Sequence, residues 1–250
     1  MTLRLGWFTA GRGPGSRGMF ERALAAIDDG SLDTQIAFVF MQRERGEGEG
    51  SDGFMDLAAS RGIPVIALSS QRFRREHDGD FAGHRDKYDR QAVELLRQHE
   101  ADVCVLAGYL LILSPVLIDA YDFVNLHPAL PDGPVGLWQK VIWELIDQRA
   151  DETGNMTLVV TNDLDRGPQL TFDRLPIKGG AFDALWDAPR ITGSEEDPLF
   201  SAIRAASVRR EPVLLVETLR ALATGALRMD APPRAPLDLT DGVEAALRGS

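Results

Sequence analysis

Cysteine is almost absent from this 250-residue chain, which contains only Cys104, in the apolar run DVCVLAG. A single cysteine excludes an internal disulfide and a cysteine metal cluster, and it favours a reducing compartment. No stretch approaches the ~20 apolar residues that a membrane helix needs. The N-terminus MTLRLGWFTAGRG also lacks the basic start, apolar core and cleavage site of a secretory signal. We therefore expect a cytoplasmic protein that does not bind membranes.

Positive charge is also scarce, because 27 Lys and Arg stand against 38 Asp and Glu, giving a formal net charge of −11. The phosphate backbone of a nucleic acid requires clustered Lys and Arg, so we expect no nucleic-acid partner. A small anion in a local basic pocket stays possible, since Arg12 and Arg17 lie in a segment without other charges. The composition, 44% hydrophobic and 26% charged, is that of an ordinary globular protein.

Apolar strand patterns alternate with helical patterns along most of the chain. Strands are predicted at 3–10, 35–41, 63–68, 102–108, 122–127, 155–161 and 169–177, and helices at 19–30, 54–62, 88–99, 136–148, 195–209 and 211–224. Continuous apolar strands separated by helices predict an α/β fold, namely a Rossmann-like, mostly parallel twisted sheet with helices on both faces.

The polar segments and the C-terminus complete the predicted organisation. Residues 43–53 and 71–86 are polar and are predicted as loops. We expect a catalytic domain over 1–228 and a Pro-rich tail over 229–250, which either docks as a strand and a helix or stays loose.

The segment GPGSRG (13–18) follows the first strand and opens a helix, so it formally matches the dinucleotide-binding pattern. That pattern also needs an acidic residue after the second strand, where this chain offers Gln42 and Arg43. Free backbone N–H groups and the helix dipole suit any phosphate at such a loop. A tight turn without a ligand is the alternative.

The segment YDFVNLHPALPDGP ends a strand with two polar residues, Asn125 and His127, and then breaks the backbone with prolines. Side chains two apart on a strand point to the same side. Ligands of open parallel sheets bind at the carboxyl ends of the strands. The pair is therefore a candidate site, although a lone histidine is more often structural.

The segment TNDLDRGPQL (161–170) places Asp163 and Asp165 between two predicted strands. A solvated turn is the ordinary interpretation of such aspartates. If the loop lies beside the Asn–His strand end, however, a carboxylate there would orient the imidazole for proton transfer.

Together these segments resemble the folate-dependent formyltransferase family over roughly residues 1–225. The resemblance rests on GPGSRG, ADVCVLAGYLLILSP, NLHPALPDGPVGL and LDRGP. It is strongest toward the members that formylate glycinamide ribonucleotide. It implies an enzyme of purine biosynthesis that transfers a formyl group from 10-formyltetrahydrofolate, as co-substrate, to the amine of that ribonucleotide.

The resemblance also implies roles for individual residues. Asn125, His127 and Asp165 fall on the catalytic positions of the family. The implied phosphate-binding residues are Gly13, Gly15, Ser16 and Arg17. The implied folate-binding residues are Tyr109, Leu110, Leu111, Ile112, Leu113, Val124, Thr161, Asn162, Asp163 and Leu164. We expect no metal, small-molecule partners only, and a monomer or homodimer.

The chain departs from the family pattern at several positions, mostly in the acceptor half. This chain has Trp138 where a histidine is common in the family, and Leu111 where many members have an arginine. It also has Ser207 near the position where the family carries a glutamate that contacts the ribose. Trp138 is therefore either a packing residue or part of a different acceptor pocket.

Several other functions stay open. One is formylation of another amine, such as an amino sugar or a specialised metabolite, and another is hydrolysis of formyltetrahydrofolate. The hydrolase is disfavoured because the chain begins directly with its first strand. Methionyl-transfer-RNA formylation is disfavoured because the tail is acidic rather than basic. A non-catalytic nucleotide sensor would use only GPGSRG and would need neither Asn125 nor His127.

Overall fold

The computed structural model describes residues 2–249, in which eight strands alternate with nine α-helices. Strands β1–β8 are Leu3–Thr9, Thr34–Met41, Val65–Ala67, Val103–Leu106, Phe123–His127, Glu152–Val159, Gln169–Pro176 and Leu237–Asp238. Helices α1–α9 are Pro14–Asp28, Glu49–Ser60, Ser70–Glu76, Arg85–Leu96, Pro115–Ile118, Trp138–Asp147, Asp183–Trp186, Pro198–Ala223 and Thr240–Arg248. Two short 3₁₀ turns, Ala82–His84 and Gly180–Phe182, precede α4 and α7.

The eight strands form one sheet in the order β3-β2-β1-β4-β5-β6-β7-β8. The first five strands in this order are parallel, whereas β6 runs antiparallel to both β5 and β7. The predicted mostly parallel α/β sheet is thereby confirmed. The chain moves outward from β1 to β3 and then returns to β4 on the other side of β1. Such a reversal opens a crevice at the carboxyl ends of the strands, where open α/β sheets bind ligands.

Two apolar layers cover the sheet, because successive strand residues point to opposite faces. Trp7 packs with Phe20 of α1 and Leu215 of α8 on one face. Its neighbour Phe8 packs with Tyr88 of α4 and Phe123 of β5 on the other face. Helices α1, α2 and α8 thus cover one side, and α3, α4 and α5 the other, as the continuous apolar strands predict.

The two helices predicted at 195–209 and 211–224 are one helix, α8, of 26 residues with Pro212 inside it. A proline inside a helix removes a hydrogen bond and costs about 3 kcal/mol in isolation. Here buried residues on both sides of Pro212, such as Phe200 and Leu219, pack against the sheet and its neighbouring helices. Tertiary packing therefore carries the helix through the proline.

Both predicted loops contain helix. Residues 43–53 include the start of α2, where the Ser51 hydroxyl donates to the Ala10 carbonyl at 3.0 Å. Residues 71–86 include most of α3, whose first turn is capped by Ser69 accepting from the Arg72 N–H at 2.9 Å. Phe73 anchors α3 in the core. Long-range packing and a cap, rather than local apolar periodicity, explain these two helices.

The tail segment from Leu237 to Arg248 docks on the body of the fold. Strand β8 pairs in parallel with β7, and Val243 of α9 is fully buried against Val213 and Leu214 of α8. Arg210 of α8 also binds Glu244 of α9. Among the described helices, none combines the length and apolar character that a membrane crossing requires.

Candidate active site

The carboxyl ends of β1, β4 and β5 meet in the crevice beside the strand reversal. The loop after β4 comes unusually close to the first turn of α1 there. Gly108 has a φ of +74°, and a Cβ on it would lie 2.6 Å from the Ser16 Cβ. Only glycine accepts both the left-handed backbone and this contact. This close approach brings the glycine segment 13–18 next to the strand end of β5.

Three side chains predicted as catalytic lie together in this crevice. Asn125 and His127 leave the same side of β5, and Asp165 comes from the loop between β6 and β7. The Asn125 Nδ2 lies 3.4 Å from the Asp165 Oδ1, and the His127 Nδ1 lies 3.9 Å from the Asp165 Oδ2. The His127 and Asp165 side chains are only 3% and 12% exposed. The structure therefore brings this sequence-predicted trio to one place.

A hydrogen bond from the second ring nitrogen, Nε2, sets the orientation of the His127 ring. His127 Nε2 lies 2.9 Å from the Pro134 carbonyl oxygen. A carbonyl oxygen only accepts, so Nε2 carries a proton in this arrangement and Nδ1 faces the carboxylate. The 3.9 Å between the His127 Nδ1 and the Asp165 Oδ2 is too long for a direct hydrogen bond. Catalytic contacts of this length are typical of ligand-free sites, where they shorten or are bridged by water once a ligand binds.

The loop that carries Asp165 is held in an uncommon conformation. Asp165 has a φ of +56°, in the left-handed region that few residues other than glycine and asparagine adopt. Two residues later, a Cβ on Gly167 would lie 1.8 Å from the Val159 carbonyl oxygen, so no other residue fits there. The Val159 N–H in turn donates to the Pro168 carbonyl at 2.8 Å. The turn thus fixes the carboxylate against the end of β5.

An apolar cavity of about 460 Å³ opens on one side of Asn125 and Asp165. Seven of the residues predicted to bind folate line it, and they come from the segment after β4 and the loop after β6. These seven are Tyr109, Leu110, Leu111, Ile112, Leu113, Thr161 and Leu164. Several of these apolar side chains are exposed, including Leu110 at 62% and Leu164 at 53%. Exposed apolar groups gathered in a concave site are typical of a ligand pocket.

The segment 109–113 is fixed at both ends. The Leu110 N–H donates to the buried Gln42 side chain at 2.8 Å. The Ser114 N–H donates to the Asp89 carboxylate at 2.6 Å. Burial raises the pKa of Asp89, which the Ser114 hydrogen bonds partly offset. The wall of the apolar cavity is therefore anchored to β2 and to α4.

Three other predicted folate-binding residues do not line this cavity. The Val124 side chain is fully buried in the core on the opposite face, because side chains alternate along β5 and Asn125 takes the cavity side. Asn162 and Asp163 are exposed, and the Asp163 N–H lies 3.3 Å from the Thr161 hydroxyl. Asn162 and Asp163 shape the turn rather than the lining.

A second cavity of about 300 Å³, the glycine-loop cavity, lies on the other side of the trio. Gly15 and Ser16 line it together with Asn125, His127 and Asp165. The two remaining residues predicted to bind phosphate lie elsewhere. Gly13 precedes α1 as its N-cap and accepts from the Ser16 hydroxyl at 3.0 Å. Arg17 forms an ion pair with Glu21 at 2.7 Å on the helix surface.

The far wall of the glycine-loop cavity contains residues that sequence patterns do not reveal. Arg204 and Glu211 of α8 form an ion pair at 2.6 Å, and the Arg204 guanidinium lies 4.4 Å from the Trp138 ring centroid. All three line the cavity. Trp138 is therefore part of the cavity wall, and its contact with Phe200 also gives it a packing role.

Ser207, near which the resemblance leads us to expect a ribose-binding glutamate, does not line this cavity. It is 3% exposed and donates to the Asn155 side chain at 2.7 Å within a buried polar network. Glu211, one helical turn further, takes the cavity position instead. No local signal distinguishes Glu211 in the sequence, because its placement depends on the continuous course of α8 through Pro212.

Comparisons with known proteins agree with this architecture. The family model described as formyl transferase matches residues 13–182. Phosphoribosylglycinamide formyltransferase of Escherichia coli (strain K12) is 32% identical over 133 residues, which are 52% of this chain and 58% of that protein. The match thus spans little more than half the length of this relative.

Two solved structures share the fold at low identity. Glycinamide ribonucleotide transformylase 1 from Symbiobacterium toebii has a TM-score of 0.68 at 19% identity, covering 94% of this chain and 92% of that chain. A formyltetrahydrofolate deformylase from Pseudomonas syringae pv. tomato str. DC3000 has a TM-score of 0.66 at 20% identity, covering 91% and 63%. The motif-based resemblance is confirmed, since the family match covers more than half of the sequence: the chain belongs to the formyl transferase family.

Proposed function

We propose that this protein transfers a formyl group from 10-formyltetrahydrofolate to the amine of glycinamide ribonucleotide. The observation that carries the proposal is the position of Asn125, His127 and Asp165 at the junction of two cavities, one apolar and one beside a glycine loop. A reaction between a flat donor and a phosphorylated acceptor needs such a junction, because both reactants must reach the same catalytic groups.

The apolar cavity is the proposed donor site. Its leucines and isoleucine offer an apolar surface to the pteridine ring, and the anchored segment 109–113 forms one wall of the site. The rigid attachment through Gln42 and Asp89 pre-organises this surface before the donor arrives.

The catalytic trio suits attack of an amine on a formyl carbon. Attack moves negative charge onto the formyl oxygen, and the Asn125 amide can stabilise that oxyanion by hydrogen bonding. His127 holds a proton at Nε2, where it is hydrogen-bonded to the Pro134 carbonyl. With substrates bound, the formyl oxygen or the departing folate nitrogen would replace that carbonyl as the acceptor. Asp165 faces the imidazole Nδ1 across a 3.9 Å gap and orients the ring. As the bond between the formyl carbon and the folate nitrogen breaks, His127 supplies the proton that the leaving nitrogen needs. The attacking amine gives up one proton as its new bond to the formyl carbon forms, and that proton restores the imidazole.

The glycine-loop cavity is the proposed acceptor site. Backbone N–H groups of the first turn of α1, at Gly15 and Ser16, are available to a phosphate. The opposite wall offers Arg204 as a cation and Glu211 as an acceptor for hydroxyl groups. The acceptor named for the E. coli relative, phosphoribosylglycinamide, combines a phosphate, a sugar and an amine. Because Trp138 stands where the resemblance leads us to expect a histidine and lines this cavity, another phosphorylated amine is the second candidate.

The test is to incubate the purified protein with 10-formyltetrahydrofolate and to follow its deformylation with and without glycinamide ribonucleotide. We expect loss of the formyl group only when the acceptor is present. Loss without the acceptor would indicate the hydrolase instead. Donor binding with no acceptor-dependent turnover would contradict the proposed acceptor and direct the search to other amines. The cytoplasmic location and the monomer or homodimer stay predictions.

A further inference from the structure

Helix α8 carries two neighbouring stripes of polar residues with different surroundings. Arg204 and Glu211 are seven residues apart, which places them about 20° from each other around the helix axis, and both line the glycine-loop cavity. Ser207 and Arg210 are three residues apart, about 60° from each other, and both are buried. Because the angle between the two stripes is set by helical geometry, the rotation that buries one stripe also directs the other into the cavity.

A polar network on β6 and β7 holds the buried stripe. The fully buried Asp173 carboxylate of β7 forms an ion pair with Arg210 and accepts from the Asn155 N–H of β6 at 3.2 Å. The Ser207 hydroxyl donates to the Asn155 side chain at 2.7 Å. Breaking a buried ion pair is strongly unfavourable, because it leaves an uncompensated charge away from water. The network therefore fixes the rotation of α8 against the sheet at these two residues.

The backbone of α8 is weakest directly beside this network. Pro212 has no N–H, so it cannot donate to the Val208 carbonyl one turn earlier, as other helical residues do. A missing bond of this kind is a common cause of kinks in helices. Glu211 immediately precedes the proline, whereas Arg204 lies almost two turns earlier. A kink in the turn 208–212 would therefore separate the two residues of the cavity stripe.

The C-terminal helix α9 contacts α8 on both sides of the proline. Glu244 binds Arg210 just before the proline, and the fully buried Val243 packs against Val213 and Leu214 just after it. Helix α9 is itself anchored to the sheet, because β8 directly precedes it and pairs with β7. These contacts bridge the weak turn from outside the helix.

We propose that Val243 and Glu244 of α9 are positioning residues for the acceptor site. They bridge the proline turn and thereby hold α8 in the conformation that directs Arg204 and Glu211 into the glycine-loop cavity. Both lie outside that cavity, so they act on it through α8. The family match ends at residue 182, before α8 and α9 begin. This inference rests on the proposed function, because it takes the glycine-loop cavity as the acceptor site.

The first test is the steady-state kinetics of formyl transfer to glycinamide ribonucleotide. Glu244→Gln changes a side chain that is 39% exposed, so the fold should persist, and we expect the acceptor KM to rise about threefold. Adding Val243→Ala should bring the rise to about tenfold, because the apolar contact of α9 is then weakened as well. The donor KM and kcat should not change, since only acceptor binding is affected. Asp241→Asn, at an exposed acid of the same helix, is the matched control and should leave all three constants unchanged.

The second test is hydrogen exchange of the backbone amides, which needs no substrate. In Val243→Ala/Glu244→Gln, amides of residues 204–216 should exchange about tenfold faster than in the wild type, because local opening at the proline turn becomes easier. Amides of α4, which covers the other face of the sheet, should keep their rates. A general loss of stability would instead accelerate exchange in both helices.

The outcomes separate this inference from the proposed function. An unchanged acceptor KM in the double variant, or equal changes in both KM values, overturns the inference and leaves the proposed function intact. Exchange that is unchanged in 204–216, or faster in α4 as well, also overturns it. A wild type without acceptor-dependent turnover contradicts the proposed function itself. In that case the exchange measurement still decides whether α9 holds α8, since selectively faster exchange in 204–216 supports the brace and any other result removes it.

Discussion

The apolar cavity and the glycine-loop cavity flank the same three residues but are built differently. Most of the apolar cavity comes from two short segments, 109–113 after β4 and 158–165 at the end of β6 and in the loop that follows. The glycine-loop cavity combines α1, β5, α6 and α8, which lie far apart in the sequence. Motifs therefore identify the apolar cavity well, whereas the glycine-loop cavity depends on how helices pack.

The sharpest test of the shared centre is His127→Ala. Removing the proton donor should lower kcat by about 10²–10³, because its stabilisation acts mainly in the transition state. Binding of tetrahydrofolate, measured by calorimetry, should stay within about twofold of wild type, since the apolar cavity is intact. His84→Ala, on the surface beside Asp80, is the control and should keep full turnover. Comparable turnover in both variants would remove His127 from the mechanism.

The acceptor side is tested separately by Glu211→Gln. The change removes the charge that holds Arg204 at 2.6 Å and replaces the carboxylate with an amide oxygen, which is a weaker acceptor for a ligand hydroxyl. We expect the KM for glycinamide ribonucleotide to rise roughly tenfold, a typical effect of losing a charged hydrogen bond. The KM for the donor should not change. Glu217→Gln, on the same helix but paired with Arg220 away from the cavity, is the matched control. Equal changes in both KM values would contradict the assignment of two cavities.

The donor side is tested by Ile112→Asn. Ile112 lines the apolar cavity and is 46% exposed, so the folded state tolerates a polar residue there. Loss of apolar contact should raise the donor KM about fivefold and leave the acceptor KM unchanged. Ile191→Asn, at a similar exposure of 49% but outside both cavities, should leave both constants unchanged. An unchanged donor KM in Ile112→Asn would place the donor elsewhere.

The smallest effect concerns the support of the acceptor wall by α8. Asp197 caps this helix, accepting from the Leu199 and Phe200 N–H groups at 3.0 and 3.1 Å. Burial acts to raise the Asp197 pKa, but the backbone N–H groups and Arg190 outweigh it, so the pKa is lowered from its ordinary value of 3.8. Asp197→Ala should lower the free energy of unfolding at pH 7 by about 1 kcal/mol, measured in urea.

The pH dependence of this loss has a definite sign. A lowered pKa in the folded state means that the carboxylate stabilises the fold fully above 3.8 and loses this effect as the pH falls through the lower value. The difference between wild type and Asp197→Ala should therefore shrink in acid. Asp187→Ala, at an exposed position nearby, should show neither the loss nor its pH dependence. A difference that grows in acid would contradict the cap.

Local chemistry in the sequence determined the strands of the sheet, the glycine opening of α1 and the shared direction of Asn125 and His127. These features depend on the backbone geometry of a few consecutive residues, which short-range sterics and hydrogen bonds fix. Val124, which the resemblance includes among the folate-binding residues, lies in the core, because strand alternation sends it to the face opposite Asn125.

Only the tertiary structure decided which distant residues complete the cavities. Glu211 reaches the glycine-loop cavity because α8 continues through Pro212, and Arg204 meets Trp138 there because α8 packs against α6. Such placements depend on the apolar surface that whole helices bury, and the free energy of that burial outweighs local preferences such as the tendency of proline to break a helix. No short segment determines this total burial, so the sequence alone indicates the predicted catalytic trio but not the walls of the cavities around it.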